Sequence, residues 1–173
     1  MKVYYSLCSA APRAGCRTSE KSLFLLKDNA DDLKDRLVWK LINAQATSQA
    51  EFADPTATTV YAACIYANGA LLDGAIVPPS GTLWKPISTV GFKYRDKTGA
   101  ADGIGTVILR GSTEDRAKVI VKGKGLALPD PVPPFTLPVV VQLVNSDSGL
   151  CWEGTYDDPN VKKNVAGQFK GKF

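Results

Sequence analysis

The sequence contains no histidine and only one methionine. Without histidine the chain lacks the commonest general base, the commonest metal ligand and the usual pH switch. No apolar run approaches the ~20 residues that a membrane-spanning helix needs. Nucleophile and phosphate-binding motifs such as G-x-S-x-G and G-x-G-x-x-G are also absent. The sequence therefore predicts no catalytic residue, and we expect a protein that is not an enzyme.

The charged residues are nearly balanced in sign. The chain has 21 Lys and Arg against 17 Asp and Glu, which gives a formal net charge of +4 at pH 7. Nucleic-acid-binding domains usually concentrate basic residues in a stripe, whereas the lysines here are scattered among aspartates along the sequence. We therefore interpret them as solvated strand faces and as protection of sheet edges. We expect no nucleic-acid partner.

Cysteine is sparse but even in number, at Cys8, Cys16, Cys64 and Cys151. An even count in a strand-rich chain predicts two disulfides, so we expect an extracellular, cell-surface or periplasmic protein. Of three possible pairings we favour Cys8–Cys16, which closes a short loop, with Cys64–Cys151, which would join two strands. Four reduced cysteines in a cytosolic protein are the alternative. The lack of C-x-x-C spacing disfavours a zinc site.

Between Gly91 and Trp152, runs rich in Val, Ile, Tyr, Phe and Trp are separated by clusters of Gly, Pro, Asn, Asp and Ser. This pattern is typical of short antiparallel strands joined by turns. Similar runs precede it, and the predicted strands cover 22–27, 36–42, 58–66, 71–77, 82–86, 92–94, 105–110, 118–122, 139–145 and 150–156. Nine or ten strands predict an all-β fold, a two-sheet antiparallel β-sandwich of Greek-key or jelly-roll type stapled by disulfides.

The predicted sandwich forms a single domain over residues 18–173. It follows an irregular N-terminal segment over 1–17, which holds the short disulfide loop and could contribute an edge strand at 3–5. The acidic stretch 28–35 predicts a hairpin turn between the first two long strands, with a short helix over 30–42 as the alternative.

Three further segments have distinct turn or crossover patterns. Asn68-Gly69 is a strong hairpin signal. The proline-rich run 129–138 cannot pair as a central strand, so we interpret it as a crossover between sheets, with a docking strip for a partner as the alternative. The basic segment 161–173 predicts a final edge strand or an ordered tail.

The acidic turn is a candidate calcium site, because calcium prefers six to eight oxygen ligands from closely spaced loop carboxylates. Its candidate ligands are Asp28, Asp31, Asp32 and Asp35 with Asn29, and Asp96 and Asp102 could join them if the two hairpins are neighbours. The spacing does not match an EF-hand, and Asp and Asn form turns for local reasons. A solvated turn without cofactor is therefore the favoured interpretation.

The three tryptophans could offer flat faces for stacking sugar rings. Trp84, between a Pro/Gly turn and Pro86, is the best candidate for exposure, followed by Trp152. Large aromatic residues more often fill the core between two sheets. We therefore favour the core interpretation for Trp39, Trp84 and Trp152, and keep a glycan ligand as the alternative.

Five motifs appear in a recognisable order: LLKDNADDLKDRLVWK, DPTATTVYAACIY, GFKYRDKTGAADG, KVIVKGKG and VVVQLVNSDSGLCWEGTY. In this order they resemble a β-rich module of environmental bacteria that recurs in large exported proteins, often near their C-termini. The resemblance covers the chain from about Arg17 onward. It implies export, a β-rich fold and a role in surface or secreted proteins, but no particular activity. Members often carry cysteines where this chain has GTLWK, which implies that one family disulfide is absent and favours the Cys64–Cys151 pairing.

These observations predict a non-enzymatic structural or interaction subunit of an exported or cell-surface assembly. Its protein partners, in a homo- or hetero-oligomer, would be contacted through strand edges and ordered termini. The alternative function is a carbohydrate- or matrix-binding module that uses exposed tryptophan.

Overall fold

A computed structural model describes residues 7–173, so the edge strand predicted at 3–5 lies outside the described residues. The described chain forms twelve strands and two short 3-10 helices, Asp32–Lys34 and Ala50–Phe52. The strands are β1 Ser19–Lys27, β2 Arg36–Ala44, β3 Tyr61–Ala67, β4 Ala70–Val77, β5 Trp84–Ile87, β6 Gly91–Arg95, β7 Ile104–Arg110, β8 Ala117–Lys124, β9 Val139–Asn145, β10 Cys151–Tyr156, β11 Val161–Val165 and β12 Gln168–Lys172. No described helix is long and apolar enough to cross a membrane.

The strands form two antiparallel sheets packed as a β-sandwich, which confirms the predicted fold class. The larger sheet has eight strands in the order β11-β12-β1-β2-β8-β7-β6-β5, and the smaller has four in the order β10-β9-β3-β4. The predicted hairpins are confirmed, since β1 pairs with β2 and β3 pairs with β4. In the second hairpin Asn68 and Gly69 both adopt positive φ, at 49° and 79°, as a tight hairpin turn requires.

Two predictions of detail need correction. The segment 161–173 does contain an edge strand, β11, but Gly167, with φ at 78°, lets it fold into the two-stranded hairpin β11–β12 and not into one strand. β12 then pairs with β1 in the larger sheet. The helix alternative over 30–42 is also wrong: only one 3-10 turn forms, and β2 begins at Arg36. The crossover prediction is confirmed, since the proline-rich run connects β8 of the larger sheet to β9 of the smaller.

The core between the sheets is rich in aromatic residues. Trp39, Trp84 and Trp152 are all 0% exposed, and eight Tyr and Phe side chains are buried beside them. These buried aromatics are Tyr61, Tyr94, Tyr156, Phe24, Phe52, Phe92, Phe135 and Phe169. Buried aromatic side chains contribute large apolar areas and specific ring contacts, so we expect a rigid scaffold in which each sheet has a fixed outer face.

Candidate functional site

The outer face of the eight-stranded sheet is strongly basic. Because side chains alternate along a strand, the residues next to each buried position point outward, and the pairing register aligns them across the sheet. Fourteen of the 21 Lys and Arg residues lie on this side. These residues, which we call the basic face, are Lys21, Lys27, Arg36, Lys40, Lys85, Lys93, Arg95, Arg110, Lys118, Lys122, Lys124, Lys163, Lys170 and Lys172.

Acidic residues do not compensate this charge within the sheet. In the described chain Glu20 is the one acidic residue in these eight strands, and it lies on the same side of β1 as the buried Ser22. The three ion pairs found within residues 7–173 use Arg17, Lys34 and Arg116, and none of these belongs to the basic face. The face therefore has a concentrated positive potential that the net charge of +4 conceals.

Several basic residues lie directly opposite one another. Arg36 pairs with Lys27 on one side and with Lys124 on the other, which places three cations side by side across three strands. Lys93 likewise faces Lys85 on the neighbouring strand. Directly opposed like charges destabilise an antiparallel sheet. None of these cations forms an ion pair in the described chain, although Asp28 and Asp35 adjoin Lys27 and Arg36 in sequence. Local conflicts of this kind are expected at functional sites.

Aliphatic side chains lie between the cations. Leu23, Leu25, Ile108 and Ile120 point outward among these cations and are half-buried. Where β2, β7 and β8 meet the turn before β2, a shallow depression of ≈ 750 Å³ is lined in part by Arg36, Arg95, Lys122 and Lys124, together with Asp35 and Asp96. The face thus combines an aliphatic floor with projecting ammonium and guanidinium groups.

The outer face of the smaller sheet is covered by the N-terminal segment. Disulfides Cys8–Cys64 and Cys16–Cys151 attach this segment to β3 and β10. Between them, the Arg13 amide donates to Gln142 Oε1 at 3.0 Å, and Gln142 Nε2 donates to the Arg13 carbonyl at 2.9 Å. The sandwich therefore has one covered outer face and one open, basic outer face.

The predicted pairing of the cysteines is wrong, although both disulfides form. Cys8 and Cys16 do not close a loop, because each is drawn to a different strand of the smaller sheet. The Cys64 and Cys151 side chains point outward from β3 and β10, and each is joined to the overlying N-terminal segment. Both bonds therefore cross-link a covering segment to a sheet.

The two edges of the smaller sheet are partly satisfied by other segments. On β4, the Leu71 amide donates to the Ala10 carbonyl at 3.0 Å, and the Ile76 amide donates to Asp102 Oδ2 at 2.9 Å. On β10, Arg17 donates to the Cys151 carbonyl and accepts from the Glu153 amide, both at 2.8 Å. These bonds use backbone groups that an added strand would need.

The edges of the larger sheet carry other protective features. β5 has only four residues, and Pro86 offers no amide hydrogen. β11 is interrupted by an irregularity between Val161 and Lys163, and the Asn164 side chain binds the backbone of Phe135 through two hydrogen bonds. Short strands, proline and bulges are devices by which sheets avoid edge pairing. They make strand addition a less favourable contact mode than the sequence predicts.

The structure places the tryptophans in the core and not on the surface. Trp84 contacts Tyr61 and Tyr94, with ring centroids 5.7 and 5.3 Å away, and its indole N–H donates to the Pro78 carbonyl. Trp152 stacks on Phe52 at 5.4 Å. The proposed exposure of Trp84 and Trp152 for sugar stacking is therefore wrong, and the core interpretation is confirmed. The neighbouring Pro86 does not make Trp84 exposed, because the short edge strand β5 still directs the Trp84 side chain inward.

Trp39 belongs to a buried polar network at the other end of the core. Its indole N–H donates to the Tyr156 hydroxyl at 3.1 Å, and that hydroxyl also bonds the Ser22 hydroxyl. Burial raises the pKa of Tyr156 above its ordinary value, so this hydroxyl stays protonated and remains available as a hydrogen-bond donor.

The structure brings together only part of the predicted calcium site. Carboxylate oxygens of Asp28, Asp35 and Asp130 lie within 4.8 Å of one another. Asp130, which sequence reasoning missed, comes from the crossover loop after β8. Burial and the charges of neighbouring carboxylates, Asp28 foremost among them, raise the pKa of Asp130.

The other predicted ligands have local roles. Asp31 caps the 3-10 helix by accepting from the Leu33 amide, and it pairs with Lys34; Asp32 lies in the first turn of the same helix. Asp96 accepts from the Thr98 hydroxyl and amide, which lowers its pKa. Asp102 binds β4 through its Ile76 contact. These carboxylates do not join the three-aspartate cluster.

The three-aspartate cluster predicts that Asp130→Asn raises the melting temperature at pH 7, because it removes one of three crowded negative charges. The raised pKa sets the pH dependence. The native carboxylate destabilises the fold above that pKa, and the gain from Asn disappears as pH falls through it. Thermal melts across pH 3–8 measure the effect. If calcium instead raised the melting temperature of the native protein and Asp130→Asn abolished that rise, the cluster would be a calcium site.

Sequence reasoning also missed the basic face. The signal was present as basic residues that alternate with apolar ones in single strands, for example Lys118, Lys122 and Lys124 in KVIVKGK. Each strand alone is compatible with an ordinary solvated face. The pairing register of all eight strands is needed to show that their basic residues point to the same side of the sheet.

Comparison with protein-family models, with curated proteins and with solved structures returned no match to this chain.

Proposed function

We propose that this protein is a non-enzymatic interaction subunit of an exported or cell-surface assembly, and that it contacts its partner through the basic face. The observation that carries the proposal is the placement of fourteen basic residues on one open side of the larger sheet, to which no acidic residue of its described strands points. Such a surface raises the local concentration of a negatively charged partner and favours its binding.

The rest of the molecule supports a scaffold role. Two disulfides are typical of proteins in non-cytoplasmic, oxidising compartments. They also fix the N-terminal segment over the smaller sheet, so that the basic face is the open outer side of the sandwich. The protected edges favour contact through this face over the strand addition that the sequence predicts.

Adsorption to the envelope and extracellular-matrix fraction of the cells that export the protein tests the proposal. The variant Lys40→Glu/Lys93→Glu/Lys122→Glu reverses three charges on β2, β6 and β8 of the basic face. We expect the adsorbed fraction to fall at least tenfold, since three lost ionic contacts at about 0.5–1 kcal/mol each correspond to roughly 10- to 100-fold in affinity.

The matched control is Lys97→Glu/Arg116→Glu/Lys162→Glu, which changes the net charge by the same amount at exposed loop and edge positions. We expect this control to retain most of the adsorption. Equal losses in the two variants would show that only net charge matters and would overturn the assignment of the contact surface.

A further inference from the structure

We propose that the partner of the basic face is an acidic polysaccharide, a linear glycan in which most sugar units carry an anionic group. This inference rests on the proposed function, because it assigns a chemistry to the partner of the same surface. It also differs from the glycan alternative predicted from the sequence, since the binding groups are lysines on an open sheet and not exposed tryptophans.

The dimensions of the basic face call for an extended polyanion. Eight strands about 4.8 Å apart span roughly 34 Å, and four outward rows about 7 Å apart cover roughly 20 Å along the longest strands, β1, β2 and β8. The cations are spread over this whole area, from Lys163 on β11 to Lys85 on β5. A single small anion would contact two or three of them, whereas a chain with repeated negative groups can cross many strands.

The composition of the face disfavours nucleic acid. Single-stranded nucleic acids stack their bases on aromatic side chains, yet no aromatic residue of the described chain is directed outward from a strand of the larger sheet. Only three of the fourteen cations are arginines, whose bidentate fork reads guanine in duplex DNA. The disulfides further indicate an exported protein, for which external glycans are the more accessible polyanions.

The apolar residues of the face disfavour insertion into a lipid bilayer. Peripheral membrane-binding surfaces project Trp, Phe or Leu beyond their basic residues. Here Leu23, Leu25 and Ile120 are half-buried between the lysines and do not project beyond the sheet as exposed side chains. Leu126 and Val132, each 70% exposed, lie in loops outside the basic face, whereas Leu33 borders its depression and Val165 lies at its β11 edge. An aliphatic floor beneath projecting cations suits the C–H surfaces and anionic substituents of sugar rings.

Titration calorimetry with the oxidised 173-residue protein tests this assignment. The probe is sodium polygalacturonate, and the comparison ligands are neutral dextran, double-stranded DNA and vesicles of anionic phospholipid. At 150 mM salt we expect polygalacturonate to bind more tightly than DNA or vesicles, and dextran not to bind.

The affinity for polygalacturonate should fall steeply as the salt concentration rises. The Lys40/Lys93/Lys122→Glu variant should lose roughly 10- to 100-fold in affinity. The Lys97/Arg116/Lys162→Glu control should lose much less.

Each other outcome contradicts the assignment in a distinct way. Tighter binding of DNA or vesicles through the same three lysines would overturn the polysaccharide assignment but leave the contact surface of the proposed function intact. If both triple variants bound polygalacturonate with equally reduced affinity, the assignment of this glycan to the basic face would be overturned. Absence of polygalacturonate binding, with lysine-dependent adsorption to the envelope fraction retained, would leave the proposed function standing and remove this inference.

Discussion

Replacing Cys16 and Cys151 together by serine is expected to lower the free energy of unfolding by about 4–5 kcal/mol, because a cross-link restricts the unfolded chain in proportion to the logarithm of the loop that it closes. This disulfide spans 135 residues of sequence. The Cys8–Cys64 bond spans 56 residues, so the corresponding double variant is expected to lose about 4 kcal/mol. Denaturant unfolding monitored by tryptophan fluorescence measures both losses.

A non-reducing peptide map provides the control for this prediction. It should recover peptides that link Cys8 to Cys64 and Cys16 to Cys151 in the native protein, and the remaining bond should persist in each double variant. A peptide that joins Cys8 to Cys16, or a loss below about 1 kcal/mol, which is less than a native disulfide usually contributes, would contradict the described covering of the smaller sheet.

Replacing Trp84 by alanine is expected to lower the free energy of unfolding by about 3–5 kcal/mol, as truncation of a fully buried aromatic side chain usually does. Trp84 is 0% exposed and packs between Tyr61 and Tyr94. The Trp84→Phe variant keeps an aromatic ring but loses the hydrogen bond to the Pro78 carbonyl. Its expected loss is smaller, about 1–2 kcal/mol.

Denaturant unfolding of the two Trp84 variants measures these losses. Fluorescence adds a second readout, because a buried indole should not be quenched when a glycan binds to the basic face. A stability loss near zero for Trp84→Ala, together with quenching by a glycan in the native protein, would restore the surface role that the sequence allows for this residue.

The local pattern of the sequence was sufficient for most of the sheet. Strands such as β9, and the turn at Asn68-Gly69, depend on alternation and on backbone preferences that adjacent residues determine. The prediction of the fold class is therefore confirmed. The strand count was too low because the basic 161–173 segment has few strand-forming residues, and its pairing with β1 gives it stability that its composition does not show.

The candidate site could not be predicted in the same way, because it depends on contacts between distant segments. The disulfide pairing follows from the path of residues 7–16 over the smaller sheet. That path cannot be predicted from the spacing of the cysteines in the sequence. Asp130 meets Asp28 only because the crossover loop returns beside the β1–β2 turn. The basic face likewise requires the register that places β2 beside β8.

Lysine reactivity mapping tests most directly the claim that the basic face is the working surface. The oxidised protein is acetylated with a water-soluble reagent, free and when adsorbed to its envelope fraction, and each site is quantified by mass spectrometry. We predict strong protection of Lys40, Lys93 and Lys122 in the adsorbed protein, while Lys34, Lys97 and Lys162 stay as reactive as in the free protein. Protection that is equal in the two groups, or confined to the second, would contradict the account.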